Sequence, residues 1–164
     1  HHERSPSLSR DLSTLYYTTW PFGTIDRAYI MSADYRDDTG DGSFVNQRPM
    51  PAPINIGEQD ISLAPAPDGK GFFFSSRRAG GYGGWDLYYA PYDNGRIGQP
   101  VNLGPGINSS ANDVHLSIIG EALYFCSNRA GGMGLYDIYT STIVKTEPLD
   151  IIVQIGRASC RERV

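Results

Sequence analysis

Cysteine and histidine are scarce in this chain, with two and three residues in 164, and their spacing offers neither a disulfide framework nor a zinc site. Long apolar runs are missing too: no stretch of ~18 apolar residues exists, so nothing in this sequence reads as a membrane-spanning helix. Positive charge is in deficit, with 14 Lys+Arg against 18 Asp+Glu and a net charge of −4. A nucleic acid demands a basic face, so no nucleic-acid partner is expected. No stretch shows helical periodicity between suitable caps. Common catalytic signatures are also absent: there is no Gly-x-Ser-x-Gly elbow, no phosphate-cradling loop ending in Lys-Ser/Thr and no His-Glu-x-x-His. No catalytic residue, metal ligand or cofactor is therefore assigned.

What is abundant is turn and strand chemistry. The 19 Gly and 11 Pro together far exceed the roughly 12% of average usage. Eleven Tyr accompany them, which suits strands between the turns. With 40% apolar residues and modest charge the chain is not disordered.

The two ends stand apart. The chain opens His1-His2-Glu3-Arg4, without Met or an apolar leader. Residues Ile155-Gly156-Arg157-Ala158-Ser159-Cys160-Arg161-Glu162-Arg163-Val164 resemble a translated sequencing adapter, so residues 155–164 are set aside as an expected artefact of the gene's ends. Without them Lys+Arg falls from 14 to 11 and Asp+Glu from 18 to 17, moving the charge from −4 to −6.

A repeat organises the remainder. Phe74-Ser75-Ser76-Arg77-Arg78-Ala79-Gly80-Gly81-Tyr82-Gly83-Gly84-Trp85-Asp86-Leu87-Tyr88 returns as Phe125-Cys126-Ser127-Asn128-Arg129-Ala130-Gly131-Gly132-Met133-Gly134-Leu135-Tyr136-Asp137-Ile138-Tyr139. Upstream, Asp60-Ile61-Ser62-Leu63 matches Asp113-Val114-His115-Leu116. A weaker first copy lies at Ser7-Leu8-Ser9-Arg10-Asp11, then Leu15-Tyr16-Tyr17-Thr18 and Ala28-Tyr29-Ile30-Met31, without the Gly-rich segment. In the middle unit the expected strands are Ile61–Ala64, Gly71–Ser76, Asp86–Ala90 and about Arg96–Asn102. The Pro67-Asp68-Gly69 and Asp93-Asn94-Gly95 turns separate the first pair and the last. Three consecutive Phe in the second strand predict burial on both faces.

The class is all-β: about three four-stranded blades of a partial β-propeller, because one twisted sheet cannot cover its own apolar faces and must stack on neighbours. The units run 1–58 (a degenerate blade with an acidic insertion), 59–111, and 112–144 (incomplete). Residues 145–154 begin another element or a junction. Blades cut from a ring expose faces meant for neighbours, so aggregation or partial folding of the fragment is expected.

The chain resembles the WD40-like β-propeller repeat of the TolB type. The likeness rests on Pro67-Asp68-Gly69-Lys70, Phe72-Phe73-Phe74-Ser75-Ser76-Arg77, Gly80-Gly81-Tyr82-Gly83-Gly84-Trp85-Asp86-Leu87-Tyr88 and Pro100-Val101-Asn102-Leu103-Gly104. Ile119-Gly120-Glu121 departs from it where Pro-Asp-Gly is the family pattern. The resemblance implies a ring of six or seven blades, often beside OmpA-like domains or in periplasmic assemblies. It further implies a non-catalytic module that binds a protein or glycan partner, together with missing blades or domains of its own chain. The alternative is the accessory propeller of a truncated enzyme, either a serine peptidase or a glycosidase.

Arg78 and Asp86 flank a Gly-rich connection, as do Arg129 and Asp137, and each pair is expected to form a salt bridge across the loop neck. The alternative is a backbone nest that cradles an anion; recurrence in successive units favours the structural role. Asp60 and Asp113 open their units and are expected to bond local backbone N–H groups at the inter-blade corner. The sialidase Asp-box pattern is absent. Tyr82, Trp85 and Tyr136 are candidates for an interaction rim, although blade packing explains aromatics there equally well. His115 reads as a packed or edge-exposed strand residue, and Cys126 as a small buried thiol. In the insertion Asp34–Ser43, Asp37, Thr39, Asp41 and Gly42 fit the opening of a calcium loop, but Arg48 stands where a closing Glu belongs. A solvated acidic loop is preferred. Asn108-Ser109-Ser110 is a formal glycosylation sequon.

Overall fold

Turn residues between apolar runs produce three antiparallel sheets in the computed structural model, which describes residues 2–20, 27–38, 40–56, 59–146 and 150–156. The first sheet holds β1 (His2–Leu8), β2 (Thr14–Trp20), β3 (Tyr29–Arg36) and β4 (Ser43–Pro49) in sequential order. The second holds β5 (Asp60–Pro65), β6 (Gly71–Ser76) and β7 (Asp86–Asp93), with a fourth strand divided into β8 (Arg96–Ile97) and β9 (Val101–Asn102). Both short pieces pair with β7, and Gly98-Gln99-Pro100 interrupts them. Pro100 has no N–H for the ladder, which accounts for the break. The third sheet holds β10 (Asp113–Ile119), β11 (Ala122–Ser127), β12 (Asp137–Thr146) and β13 (Asp150–Gly156). β13 carries this sheet past residue 144 and into the first two residues of the adapter-like segment; residues 157–164 lie outside the described residues.

The first hairpin of each sheet shows how different residues make one turn. Gly69 N donates to Ala66 O, and Leu12 N donates to Ser9 O. Gly69 and Leu12 both take left-handed φ values, 72° and 61°. In the first sheet Asp11 replaces the Pro-Asp-Gly chemistry by accepting from the Ser9 and Ser13 hydroxyls and Ser13 N. Those bonds, the Ser9 hydroxyl first, pull its carboxyl down to about 2. The third sheet shortens the turn to Gly120-Glu121, with Ile119 paired to Ala122.

The sheets stack in chain order as a partial β-propeller. Phe72, Phe73 and Phe74 are all buried, because β6 is packed on both faces. Phe72 and Phe74 join Ile30, Met50 and Ile54 between the first and second sheets. Phe73 and Leu87 join Leu123, Phe125 and Tyr139 between the second and third. Each buried Phe contributes about 1.5–3 kcal/mol of transfer free energy, so these layers hold the arc together. β1, β5 and β10 lie side by side as the innermost strands without pairing to one another. No helix among the described residues is long and apolar enough to cross a membrane.

Candidate functional site

The innermost strands share a backbone irregularity. Each has a bulge, between Arg4 and Ser7, between Ile61 and Ala64, and between Val114 and Ser117. Equivalent residues at the three bulges take left-handed φ: Ser5 at 53°, Ser62 at 54° and His115 at 53°. A bulge re-aims its side chain, and these three meet. Ser62 Oγ lies 3.0 Å from His115 Nδ1 and donates to Ser5 Oγ at 3.1 Å, while Ser5 Oγ is 3.4 Å from the same ring nitrogen. Ser62 N is bonded to Thr18 Oγ1 of the preceding sheet at 2.9 Å. Burial pushes the His115 imidazole below its ordinary value, and the Arg4 charge adds to the depression.

From this cluster a groove of about 440 Å³ runs along the inner strands toward their first hairpin turns, lined among others by Ser7, Leu8, Leu63, Pro65, Ser117 and Ile118. Ser62 is only 2% exposed, so its hydroxyl ties strands together and is not an accessible nucleophile. Hydroxyls and one imidazole in such a groove can orient a neutral polar ligand. Sequence reading placed His115 as a packed or edge-exposed strand residue; it is exposed in its strand, and the cluster was missed. The available signal was a polar residue at one repeat position between apolar neighbours, in Ile61-Ser62-Leu63 and Val114-His115-Leu116.

At the opposite end of the inner strands, near the Gly-rich loops, the expected neck salt bridges are replaced by others. Arg78 pairs with Asp60 at 2.9 Å, not with Asp86, and Arg129 pairs with Asp113 at 2.6 Å, not with Asp137. In the sheet Ser76 sits between Asp60 on one side and Asp86 on the other, so both carboxylates compete for the arginine. Asp86 is already satisfied: it accepts from Tyr82 N, from Gly83 N at 3.1 Å and from Asn102 Nδ2 at 3.0 Å. Asp137 likewise accepts from Met133 N at 2.9 Å. Asp60 and Asp113, 1% and 0% exposed, are the carboxylates that need a cation. Burial raises the Asp60 carboxyl, and the Arg78 charge offsets this only in part.

This arrangement also removes the anion-nest alternative, since the loop N–H groups at Tyr82, Gly83 and Met133 already point at the chain's own carboxylates. The arginines instead fasten neighbouring blades. Each lies against two rings, Arg78 on Phe74 and Tyr88 and Arg129 on Phe125 and Tyr139. Each Nε donates to a serine, Ser76 or Ser127, at 2.9 Å. Arg78 also reaches the carbonyl of Pro53, and Arg129 that of Ile107, both in the connector arriving from the previous blade. Connector N–H groups close the corner, Asn55 N on Asp60 and Ser109 N on Asp113.

Two asparagines were missed. Asn55 bonds both N and O of Ile30, and Asn108 bonds both N and O of Leu87. Each amide thus docks a connector on the third strand of the preceding sheet. The signal was present: both stand five residues before a blade-opening Asp. Asn108 is buried with its amide engaged, so the sequon cannot be read as an accessible glycosylation site.

The candidate rim residues separate by environment. Tyr82 and Tyr136 are exposed on equivalent loops of successive sheets. Trp85 is half-buried against Ala28, Ile61 and Val114, under the Arg77 guanidinium, and its backbone bridges Asn112. In the acidic insertion, Asp34 is held by both terminal nitrogens of Arg48, at 2.8 and 2.9 Å, and Asp37 accepts from Gly42 N. Thr39 lies outside the described residues. Among the described residues no three His, Cys, Asp or Glu are grouped to hold a metal ion.

Comparison with known proteins adds little to this geometry. No protein family matches the chain, and no curated protein does. Among solved structures it is similar to a puromycin hydrolase crystallised as a mutant in complex with PGG, at 14% identity and a TM-score of 0.42. The match covers 86% of this chain and 27% of that one, so the chain spans about a quarter of its length.

Proposed function

We propose that this chain is a non-catalytic arc of a WD40-like β-propeller of the TolB type, and that it binds a protein or glycan partner in the bacterial periplasm or cell envelope. The observation that carries the reading is the convergence of Ser5, Ser62 and His115 from three successive inner strands at the head of one groove. A stacked scaffold holds these groups rigidly, which suits recognition. The repeat motifs supply the envelope placement, an inference by likeness. Tyr82 and Tyr136 provide a second, more exposed contact region on the Gly-rich loops.

Binding to immobilised glycan and peptide arrays tests this. Wild-type protein should retain a defined ligand set, and Ser117→Ala and His115→Ala should each weaken it at least several-fold. Unchanged binding by both variants removes the groove from the function. The competing reading, an accessory propeller of a peptidase or glycosidase, is separated by the uninterrupted gene. A neighbouring Gly-x-Ser-x-Gly elbow favours the peptidase, whereas an OmpA-like or lipoprotein segment favours the envelope module.

A further inference from the structure

The three inner strands offer the groove polar side chains in place of a free backbone edge. An added peptide strand needs a continuous row of open N–H and C=O groups. The bulges of β1, β5 and β10 interrupt that row. At the β5 bulge two groups are already engaged, Ser62 N by Thr18 Oγ1 and Leu63 O by the Ser7 hydroxyl. Pro6 in β1 and Pro65 in β5 have no N–H to offer. The polar side chains along the groove are Ser5, Ser7, His115 and Ser117, and among the described residues no carboxylate, lysine or arginine lines it. Inner strands face the axis of a propeller however many blades complete it, so this surface belongs to the ring.

The hydrogen bonds within the cluster run in one direction. Ser62 is buried, and its hydroxyl has a single hydrogen to give. That hydrogen goes to Ser5 Oγ, so Ser62 Oγ meets His115 Nδ1 as an acceptor. The imidazole is thereby held as the Nδ1–H tautomer, with its lone pair on Nε2. Nε2 has no hydrogen-bond partner among the described residues, and the ring is exposed at the groove. Ser5, the last member of the chain, keeps its own hydrogen. Burial holds the imidazole below its ordinary value, so the cluster is uncharged at neutral pH. One acceptor and one donor therefore stand side by side without a formal charge.

We propose that the groove takes a neutral saccharide, with His115 Nε2 and the Ser5 hydroxyl as the specificity contacts that bond its hydroxyl groups. A sugar hydroxyl gives and accepts a hydrogen bond at once, which matches such a pair. A phosphate or carboxylate finds no opposite charge in the lining and would be desolvated without a partner. An extended peptide finds no open strand edge. This ligand class rests on the reading of the groove as a binding site.

Nitrogen-15 labelling of histidine in the full chain tests the hydrogen-bond chain without a ligand. At about pH 8, above the ordinary value of histidine, the His115 ring should show the Nδ1–H tautomer, and an Nε2–H ring overturns the proposal. Ligand class is read from arrays of neutral oligosaccharides, acidic oligosaccharides and unmodified peptides. Binding should fall among the neutral oligosaccharides, and adding one that binds should shift the His115 Nε2 resonance. His115→Phe should weaken that saccharide by about two- to tenfold, the contribution of one hydrogen bond. His115→Gln, whose amide reaches toward the place of Nε2, should recover most of the loss. Should either variant fail to fold, the Nε2 shift of the wild type decides. Peptide or acidic-saccharide binding alone, weakened by His115→Phe, overturns the neutral saccharide and leaves the groove reading standing. Binding on none of the arrays, or binding that leaves both the variant and the Nε2 resonance unchanged, removes the groove and the saccharide together.

Discussion

At Arg78 the chain had two carboxylates within reach, and the local supply of N–H donors decided between them. Asp86 lies beside a Gly-rich loop whose amides turn toward it, so its charge is met without a cation. Asp60 lies at the buried corner, where one N–H from Asn55 is not enough. Removing one member of a buried pair strands the other, so Arg78→Ala should cost about 3–5 kcal/mol in denaturant unfolding. Asp86→Ala should cost less, about 1–3 kcal/mol, the penalty for unpaired loop amides. A larger loss for Asp86→Ala than for Arg78→Ala contradicts this ordering. Sequence reading identified the six residues Asp60, Arg78, Asp86, Asp113, Arg129 and Asp137 but paired them by proximity along the chain. The true partner sits on the preceding strand, Asp60 for Arg78 and Asp113 for Arg129, and strand registry is not visible from spacing alone.

Elements meet through backbone approach as much as through side chains. Gly84 N donates to Ala111 O, and Asp113 N donates to Trp85 O, so the Gly-rich loop of one blade lies on the connector to the next. A Cβ at Gly83 would run into the carbonyls of Ser109 and Ala111. Gly83→Ala should therefore destabilise by about 1–3 kcal/mol, as overpacking does, and unchanged denaturant stability argues against that close approach. The inner strands make a second prediction. His115 is depressed in the fold, so the unfolded chain takes up the proton first as pH falls. Its stabilisation is fully present above the ordinary value of about 6.5 and is lost as pH drops through the folded value. Unfolding measured between about pH 8 and about pH 5 should show the wild-type advantage over His115→Asn shrinking on the acid side. A difference that stays constant across that range contradicts the assignment.

For the whole molecule, the two contacts inside the chain show how successive blades satisfy one another, with Tyr16 and Ile30 seated on Phe72 and Phe74 and with Phe73 and Leu87 seated on Leu123 and Phe125. Sequence reading expects an aggregation-prone or partly folded fragment, because blades cut from a ring expose faces meant for neighbours; sharp, monomeric, cooperative unfolding of residues 1–154 contradicts that expectation.

The sequence by itself determined the all-β class, the strand rhythm and the burial of β6. Alternation, turn residues and repeat spacing are local properties that survive being read one residue at a time. Gly71–Ser76 was legible to the residue because three Phe are bounded by turns. Tertiary structure decided the rest. Asn55 and Asn108 became inter-blade fasteners because a connector folds back onto the preceding sheet, and Ser5, Ser62 and His115 became neighbours because three bulges face one axis. The asparagine contacts join residues 25 and 21 positions apart in the chain, and the serine–serine and serine–histidine contacts join residues 57 and 53 apart. Only stacking of the blades brings such distant positions within hydrogen-bond reach.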